Sequence, residues 1–191
     1  GRLDENGRHV NLTDGGHLEN LGVHELLRRR CRLIIACDGE ADPEMTFKGL
    51  ANAIRLARID LGVNIEIDVD ALRPQSGPNC NRVNGSGGWS AAHGAVGRIN
   101  YGDGDYGWLL YIKSSMTGDE PVSIRKYRDD DPSFPHQTTA DQFFDEAQFE
   151  AYRALGYHAG EAVLDDLLGD GCAAQDAGDV IAGLKARQVA T

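Results

Sequence analysis

The segment 12–22, LTDGGHLENLG, places one acidic side chain before two glycines and a histidine. A carboxylate such as that of Asp14 can take a proton from a hydroxyl nucleophile, and Gly15 and Gly16 permit backbone torsions and close approaches that larger residues forbid. The same residues also suit a plain turn, in which Asp14 caps nearby amides and the glycines adopt positive φ. Residue types and spacing alone leave both interpretations open.

The elements that flank Asp14 place it where functional groups commonly converge. Three segments are typical of strands: 9–13 and 64–68, which alternate, and 32–38, an apolar run typical of a strand buried on both faces. Between them the spacing predicts two helices, one capped by Asn20 and one opened by Asp42 and Pro43. This order predicts a mostly parallel sheet with flanking helices, and Asp14 then lies at its carboxyl edge, a usual position for catalytic groups.

The second half of the chain predicts a loop, a hairpin and further helices. Residues 73–92 are rich in Gly, Asn, Pro and Ser and predict a mobile loop, and 93–101 with 107–115 predict a β-hairpin. A helix is expected over about 140–155, with Thr139 and Gln142 as a capping box. We expect its aromatic residues to lie in the core rather than to line an acyl-chain groove; they are Phe143, Phe144, Phe149 and Tyr152. Residues 169–191 form an Ala-, Gly- and Asp-rich tail with at most a weak helix around 180–184.

Composition excludes several classes of protein. A formal net charge of −11 argues against a broad nucleic-acid interface, because such an interface must neutralise phosphates. The four cysteines have neither zinc-site spacing nor the density of a disulfide scaffold. The acids Asp103 and Asp105 lack the full calcium-loop pattern. The histidines lack metal-ligand spacing, so we expect no metal site and no cofactor; they are His24, His93, His136 and His158.

A longer segment around Asp14, LTDGGHLENLGVHELLRRRCRLIIACDGEADP, resembles the part of patatin-like phospholipases, and of the related cytosolic phospholipases, that carries the aspartate of their Ser-Asp dyad. Two later blocks, NAIRLARIDLGVNIEID and FPHQTTADQFFDEAQFEAYRALGY, are similar to a bacterial patatin-like group, so the resemblance covers roughly residues 9–158. It implies that Asp14 is the general base, with Gly15 and Gly16 as its motif neighbours. His17 follows the glycines, and we expect it either to form a structural hydrogen bond near Asp14 or to position the substrate or tune the acid directly. The resemblance also implies a three-layer α/β hydrolase domain, of which residues 1–168 are the C-terminal part.

The sequence departs from that family at the nucleophile. No Gly-x-Ser-x-Gly occurs in the 191 residues, and the nearest string, around Ser86, lacks the first glycine and follows no buried strand. Ser114 and Ser115 follow a strand but have no flanking glycines. We therefore expect the serine and the oxyanion loop to lie upstream of this chain, and the isolated chain to be inactive and prone to self-association or to pairing with its N-terminal part.

Two functions of different classes follow from these observations. The first is the C-terminal portion of a serine lipid acyl hydrolase, a phospholipase or esterase that acts on a lipid or acyl-ester substrate. The second is a noncatalytic α/β binding or regulatory module, a degenerate patatin-like domain. For either one the expected partners include a membrane surface but no nucleic acid, and the expected location is the cytoplasm or the periphery of a membrane.

Overall fold

A computed structural model of the chain describes residues 14–75, 88–138, 140, 142–169, 174 and 176–189. It shows an α/β fold with an open four-stranded sheet and five helices in this part of the chain. The strands are β1 (Leu33–Asp38), β2 (Asn64–Ile67), β3 (Gly94–Gly102) and β4 (Asp105–Lys113). The helices are α1 (Val23–Arg28), α2 (Lys48–Leu61), α3 (Val122–Asp130), α4 (Glu146–Leu168) and α5 (Ala177–Val189). None of the described helices has the length and apolar character needed to cross a membrane.

The sheet is mixed, which corrects the expectation of a mostly parallel one. Its strand order is β1-β4-β3-β2, with β1 parallel to β4 and with both β4 and β2 antiparallel to β3. It follows that β1, β4 and β2 run in one direction, as the sequence predicted for β1 and β2, but those two strands are not neighbours. The predicted strand 9–13 lies outside the described residues.

The predicted hairpin is confirmed and explains the strand order. The chain reverses between β3 and β4 at Asp103 and Gly104, which have φ of 53° and 79°, values that suit a tight hairpin turn. The hairpin inserts between β1 and β2, so residues that follow β4 lie beside residues that follow β1. Of the predicted loop 73–92, residues 76–87 lie outside the described part of the chain.

Helices pack against side chains from the sheet in two separate clusters. The larger cluster joins residues of α1 and α2, such as Leu27 and Leu50, to Ile34 of β1 and Tyr111 of β4. A second cluster joins α4 and α5 to other side chains of the strands: Leu167, Val180 and Leu184 with Leu33, Val96 and Trp108. The tail was predicted to hold at most a weak helix around 180–184, but it contributes the longer helix α5 to the packed structure.

Strand β1 is buried on one face only, which corrects the prediction of a strand buried on both. Ile34 is 1% exposed, whereas Ile35 is 50% exposed and Cys37 is also exposed. In the described sheet β1 pairs on one side only, with β4. The apolar run 32–38 therefore buries one face of β1 in the core and leaves the other face exposed to solvent.

Helix starts also differ from the sequence predictions. Asn20 is not the cap of α1: Gly22 precedes the helix with φ of 70°, and the Glu19 carboxylate accepts hydrogen bonds from Val23 N at 2.7 Å and His24 N at 3.2 Å. A carboxylate at this end complements the helix dipole. Asp42 caps a turn before α2, accepting from Thr46 N and Phe47 N, rather than opening the helix itself.

The long helix α4 begins later than expected and leaves two aromatic residues outside it. Asp145 is its cap and accepts from Gln148 N at 2.7 Å, so the predicted box of Thr139 and Gln142 does not begin the helix, and Thr139 itself lies outside the described residues. Phe143 is 92% exposed and Phe144 is 48% exposed, so these rings do not fill the core as predicted. Phe149 is also exposed, whereas Tyr152 packs against a buried cluster.

The one-sided burial of β1 predicts different costs for two adjacent isoleucines. We expect Ile34→Ala to lower the free energy of unfolding by about 2–5 kcal/mol, as is usual for deleting buried methyl groups. Ile35→Ala should cost clearly less, about 1 kcal/mol or below, because half of its surface is already in water. Equilibrium urea unfolding of both variants checks this; equal losses would mean that the second face of β1 is covered in the folded protein.

Candidate functional site

Asp14 opens a short turn that fixes its carboxylate. Its Oδ1 accepts a hydrogen bond from Gly16 N at 2.9 Å, and residues Gly15–His17 form one 3-10 turn in which His17 N donates to Asp14 O. Asp14 and His17 are both exposed. A Cβ at residue 16 would lie 2.4 Å from Asn20 Oδ1, so a larger residue there would have to displace the Asn20 side chain. The turn thus presents a held carboxylate to solvent.

Side-chain amides tie this turn to the end of β1. Asn20 Nδ2 donates to Glu40 Oε1 at 2.6 Å, just after β1, and Asn52 Nδ2 of α2 donates to Leu18 O at 2.9 Å. Asn20 and Glu40 also line an open pocket of about 580 Å³ together with Gly39, Ala41, Asp42, Thr46 and Lys48. The Asp14 turn therefore lies beside the carboxyl edge of the sheet, where such pockets form.

A buried ion pair joins the ends of β1 and β4 at the carboxyl edge of the sheet. Asp38 ends β1 and Lys113 ends β4, and the two residues are register partners with Nζ 3.0 Å from Oδ1 and almost no exposure. The Tyr111 hydroxyl also donates to Asp38, and burial followed by this contact raises the pKa of Tyr111 well above its usual range. Lys113 Nζ donates to Glu40 O at 2.8 Å, so the pair also holds the loop after β1.

His136 packs over the same loop and is held in its neutral form. Its Nδ1 accepts from Asp42 N at 3.4 Å, and this contact requires a lone pair on that nitrogen. Burial, followed by the nearby charge of Lys113, lowers the pKa of His136 to about 4. This imidazole supports the loop after β1 and is not placed to act on Asp14 by any contact that the structure shows.

Four polar side chains form a separate group, here called the His-Asp-Glu cluster, at the same edge of the sheet and beyond the start of β3. His93 precedes β3, Asp119 and Glu120 follow β4, and His158 comes from α4; one ligand-type atom of each lies within 4.8 Å of those of the others. Glu120 and His93 are buried, while Asp119 is exposed. Burial lowers the pKa of His93.

The sequence analysis predicted a role for Asp14, but it missed Lys113 and the four-residue cluster. The string TGDEP at 117–121 is the signal that was available, because it sets two adjacent acids in the segment that follows a predicted strand. Ser86 lies outside the described residues. Ser115 is buried, and Ser114 Oγ donates to Asp38 O, so neither serine contacts Asp14 in any hydrogen bond that the structure shows.

Compared with known proteins, the chain matches no protein family, no curated sequence and no solved structure. The function of the site must therefore be inferred from its chemistry and geometry.

Removing the buried cation should destabilise the edge strongly. Lys113→Met leaves the Asp38 carboxylate buried without its ion-pair partner, and we expect a loss of about 3–5 kcal/mol in the free energy of unfolding. The double variant Asp38→Asn, Lys113→Met should lose less, because no uncompensated charge remains. Urea unfolding measures both. Equal losses for the single and double variants would show that the charge pairing is not what stabilises this edge.

The lowered pKa of His136 predicts a specific loss of stability in acid. The unfolded imidazole binds a proton near its ordinary pKa of 6.5 and the folded one only near 4, so protonation favours the unfolded state. This stability is fully present above pH 6.5 and is lost as the pH falls toward 4. We expect His136→Gln to flatten the urea-midpoint curve over that interval.

The interval from pH 7 to 8 is the internal control for this measurement. There the imidazole is neutral in both states, so the wild type and the His136→Gln variant should have parallel curves. Parallel curves down to pH 4 as well would contradict the assignment.

Proposed function

We propose that this chain is the C-terminal part of a patatin-like serine lipid acyl hydrolase and that Asp14 is the general base of its Ser-Asp dyad. The observation that carries the proposal is the Asp14 turn: an exposed carboxylate, oriented by Gly16 N and anchored to the carboxyl edge of the sheet through Asn20 and Glu40. The resemblance of LTDGGHLENLG to the dyad segment of that family supports the same assignment.

A carboxylate in this position suits base catalysis of acyl transfer. A serine hydroxyl within hydrogen-bond reach of Asp14 would lose its proton to the free carboxylate oxygen while its Oγ attacks the ester carbonyl. The hydrogen bond from Gly16 N fixes the carboxylate without using both of its oxygens. No imidazole is needed as base, because the carboxylate itself takes the proton.

The proposed serine and its oxyanion loop belong to residues outside this sequence. In support, β1 pairs on one side only within the described sheet, and its outer face carries the exposed Ile35 and Cys37. An unpaired apolar edge is a ready site for another strand. The strand that bears the nucleophile would pair with this edge and extend the sheet of the proposed three-layer domain.

The substrate we propose is a lipid or another acyl ester. Three phenylalanines around the start of α4 support contact with a lipid surface: Phe143, Phe144 and Phe149 are 92%, 48% and 65% exposed. Several exposed apolar side chains from one short segment can form the kind of surface patch that marks an interaction site. The net charge of −11 favours contact through these rings rather than through general attraction to anionic headgroups.

The decisive experiment replaces Asp14 in the full-length protein and measures hydrolysis of a short-chain ester. Asp14→Asn keeps the size of the side chain but removes the base, and we expect kcat to fall by at least about 100-fold. The matched control is Asp68→Asn. Asp68 is also exposed, and its Oδ1 accepts from the amide two residues on, Asp70 N, at the same 2.9 Å.

Asp68→Asn should leave hydrolysis unchanged, since that turn has no part in the proposed chemistry. Thermal melts of both variants show whether the fold is intact. If Asp14→Asn hydrolyses ester as fast as the control while both remain folded, Asp14 is not the base. If the full-length protein has no esterase activity at all, the noncatalytic module is the better account.

A further inference from the structure

We infer that His93, Asp119, Glu120 and His158 form a binding site for one divalent transition-metal ion, with Zn²⁺ as the best match. The site is separate from the Asp14 turn, and its chemistry does not depend on the proposed hydrolase function. Two imidazoles and two carboxylates are a donor set that zinc accepts. Cysteine thiolates take no part in it.

The separations among the side chains fit a tetrahedral ion. Zinc bonds of about 2.0–2.2 Å to nitrogen and oxygen place neighbouring ligand atoms about 3.3–3.6 Å apart. Here His158 Nε2 lies 3.2 Å from Asp119 Oδ1, and His93 Nε2 lies 4.0 Å from Glu120 Oε1. One ligand-type atom of each of the four residues lies within 4.8 Å of the others. Small side-chain rotations would bring all four onto one ion.

The contacts of His93 allow its Nε2 lone pair to face the cluster. Its Nδ1 lies 3.2 Å from Ser115 Oγ, and that hydroxyl also lies 3.2 Å from Ala92 O and 3.3 Å from Lys113 O. When the hydroxyl donates to one of these carbonyls, Ser115 accepts from Nδ1-H, and a neutral His93 then carries its lone pair on Nε2. A ligating histidine is commonly oriented by such a bond from its other nitrogen.

Within the cluster the lone pairs outnumber the hydrogens. The Thr117 hydroxyl contacts His93 Nε2 at 3.0 Å, Glu120 Oε1 at 3.3 Å and Asp119 Oδ1 more closely, yet it has one hydrogen to offer. Glu120 receives two backbone donors, Thr117 N and Gly118 N, and its one ion-pair contact among the described residues is His93. His158 Nε2 lies 3.2 Å from Asp119 Oδ1 and can donate to it in one tautomer. In the other tautomer His158 adds a further lone pair, and a divalent cation would then join the acceptors that the Thr117 hydroxyl does not reach.

Two glycines allow these segments to approach each other. Gly94 follows His93, and a Cβ there would lie 2.7 Å from Val163 Cγ2, so its absence lets α4 pack close to β3 and bring His158 within reach. Gly118 has φ of 94°, and a Cβ there would meet Trp89 at 3.1 Å. The turn that brings Thr117, Asp119 and Glu120 close together therefore needs glycine at residue 118.

The cluster also faces open space that a ligand can enter. His93, Thr117 and Asp119 line one part of a pocket of about 590 Å³, a volume within the usual range for small-molecule sites. A metal bound here would be accessible from this pocket, whereas the buried Glu120 would hold it from below. The competing account is a purely hydrogen-bonded network with a protonated His93, which predicts no metal binding.

Metal binding by the full-length protein tests the proposal. The protein is treated with a chelator and desalted, and Zn²⁺ affinity is then measured by competition with a chromophoric chelator. We expect one equivalent of Zn²⁺ to bind, and His158→Asn and Asp119→Asn each to weaken binding by at least about 10-fold. These two residues are chosen because the Asp119 side chain is 71% exposed and that of His158 is 21% exposed, so both variants should fold.

The matched control is His24→Asn. His24 Nε2 lies 3.3 Å from Asp60 Oδ2, a lone His-Asp pair with the same histidine exposure of 21% but without a second imidazole and a buried acid. Zinc affinity should not change in this variant. An equal loss in His24→Asn and His158→Asn would overturn the assignment.

Cobalt substitution in the wild-type protein reports which kinds of atoms bind the metal, without any variant. Co²⁺ in the site should show the visible absorption of a four-coordinate nitrogen and oxygen environment, without a thiolate charge-transfer band. A thiolate band would place the metal on the cysteines and overturn the proposal. Failure of the folded wild type to bind either Zn²⁺ or Co²⁺ would favour the hydrogen-bonded network instead.

Discussion

The buried pair of Asp38 and Lys113 is the interaction on which the edge of the sheet depends. It joins the last residues of β1 and β4, which are 75 positions apart in the chain, and leaves almost no exposed surface on either side chain. Lys113 also donates to Glu40 O. The Glu40 side chain in turn accepts a hydrogen bond from Asn20, and the Asn20 side chain lies next to Gly16 in the Asp14 turn. The position of the Asp14 carboxylate is thus linked to a charge pair that lies within the protein.

The end of β4 also positions the His-Asp-Glu cluster of residues 93, 119, 120 and 158. Lys113 N donates to His93 O, so the backbone that begins β3 is fixed directly beside the end of β4. From there the chain passes through Ser115 and Thr117 to the acids at 119 and 120, and α4 adds His158 from the other side. A mixed sheet makes this possible, because the start of β3 and the ends of β1 and β4 lie at one edge.

The two groups of residues at this edge differ in how they meet solvent. The Asp14 turn is exposed and oriented by backbone and amide contacts, whereas the cluster around Glu120 is partly buried and rich in acceptors. An exposed, oriented carboxylate suits the role proposed for Asp14, in which another segment brings the nucleophile to it. A partly buried group of imidazoles and carboxylates suits a small cation that stays bound. The edge therefore offers positions for two kinds of chemistry within one sheet.

The sequence alone determined the features that depend on a few neighbouring residues. The turn at Asp14, the hairpin at Asp103 and Gly104 and the apolar stripe of α2 follow from turn chemistry and periodicity, which act over short stretches of chain. Helix starts were predicted less well, since Glu19 and Asp145 took over capping from the residues that spacing favoured.

Only the tertiary structure decided the strand order, the burial of one face of β1 and the two polar groupings. The hairpin could pair with β1 or lie elsewhere without any change in its local pattern, and the pairing alone brings Lys113 to Asp38. The metal-type cluster draws its members from three separate segments, around residues 93, 119 and 158, so no spacing in the sequence reveals it. Local propensity acts through adjacent residues, whereas burial and ligand geometry depend on which segments pack together.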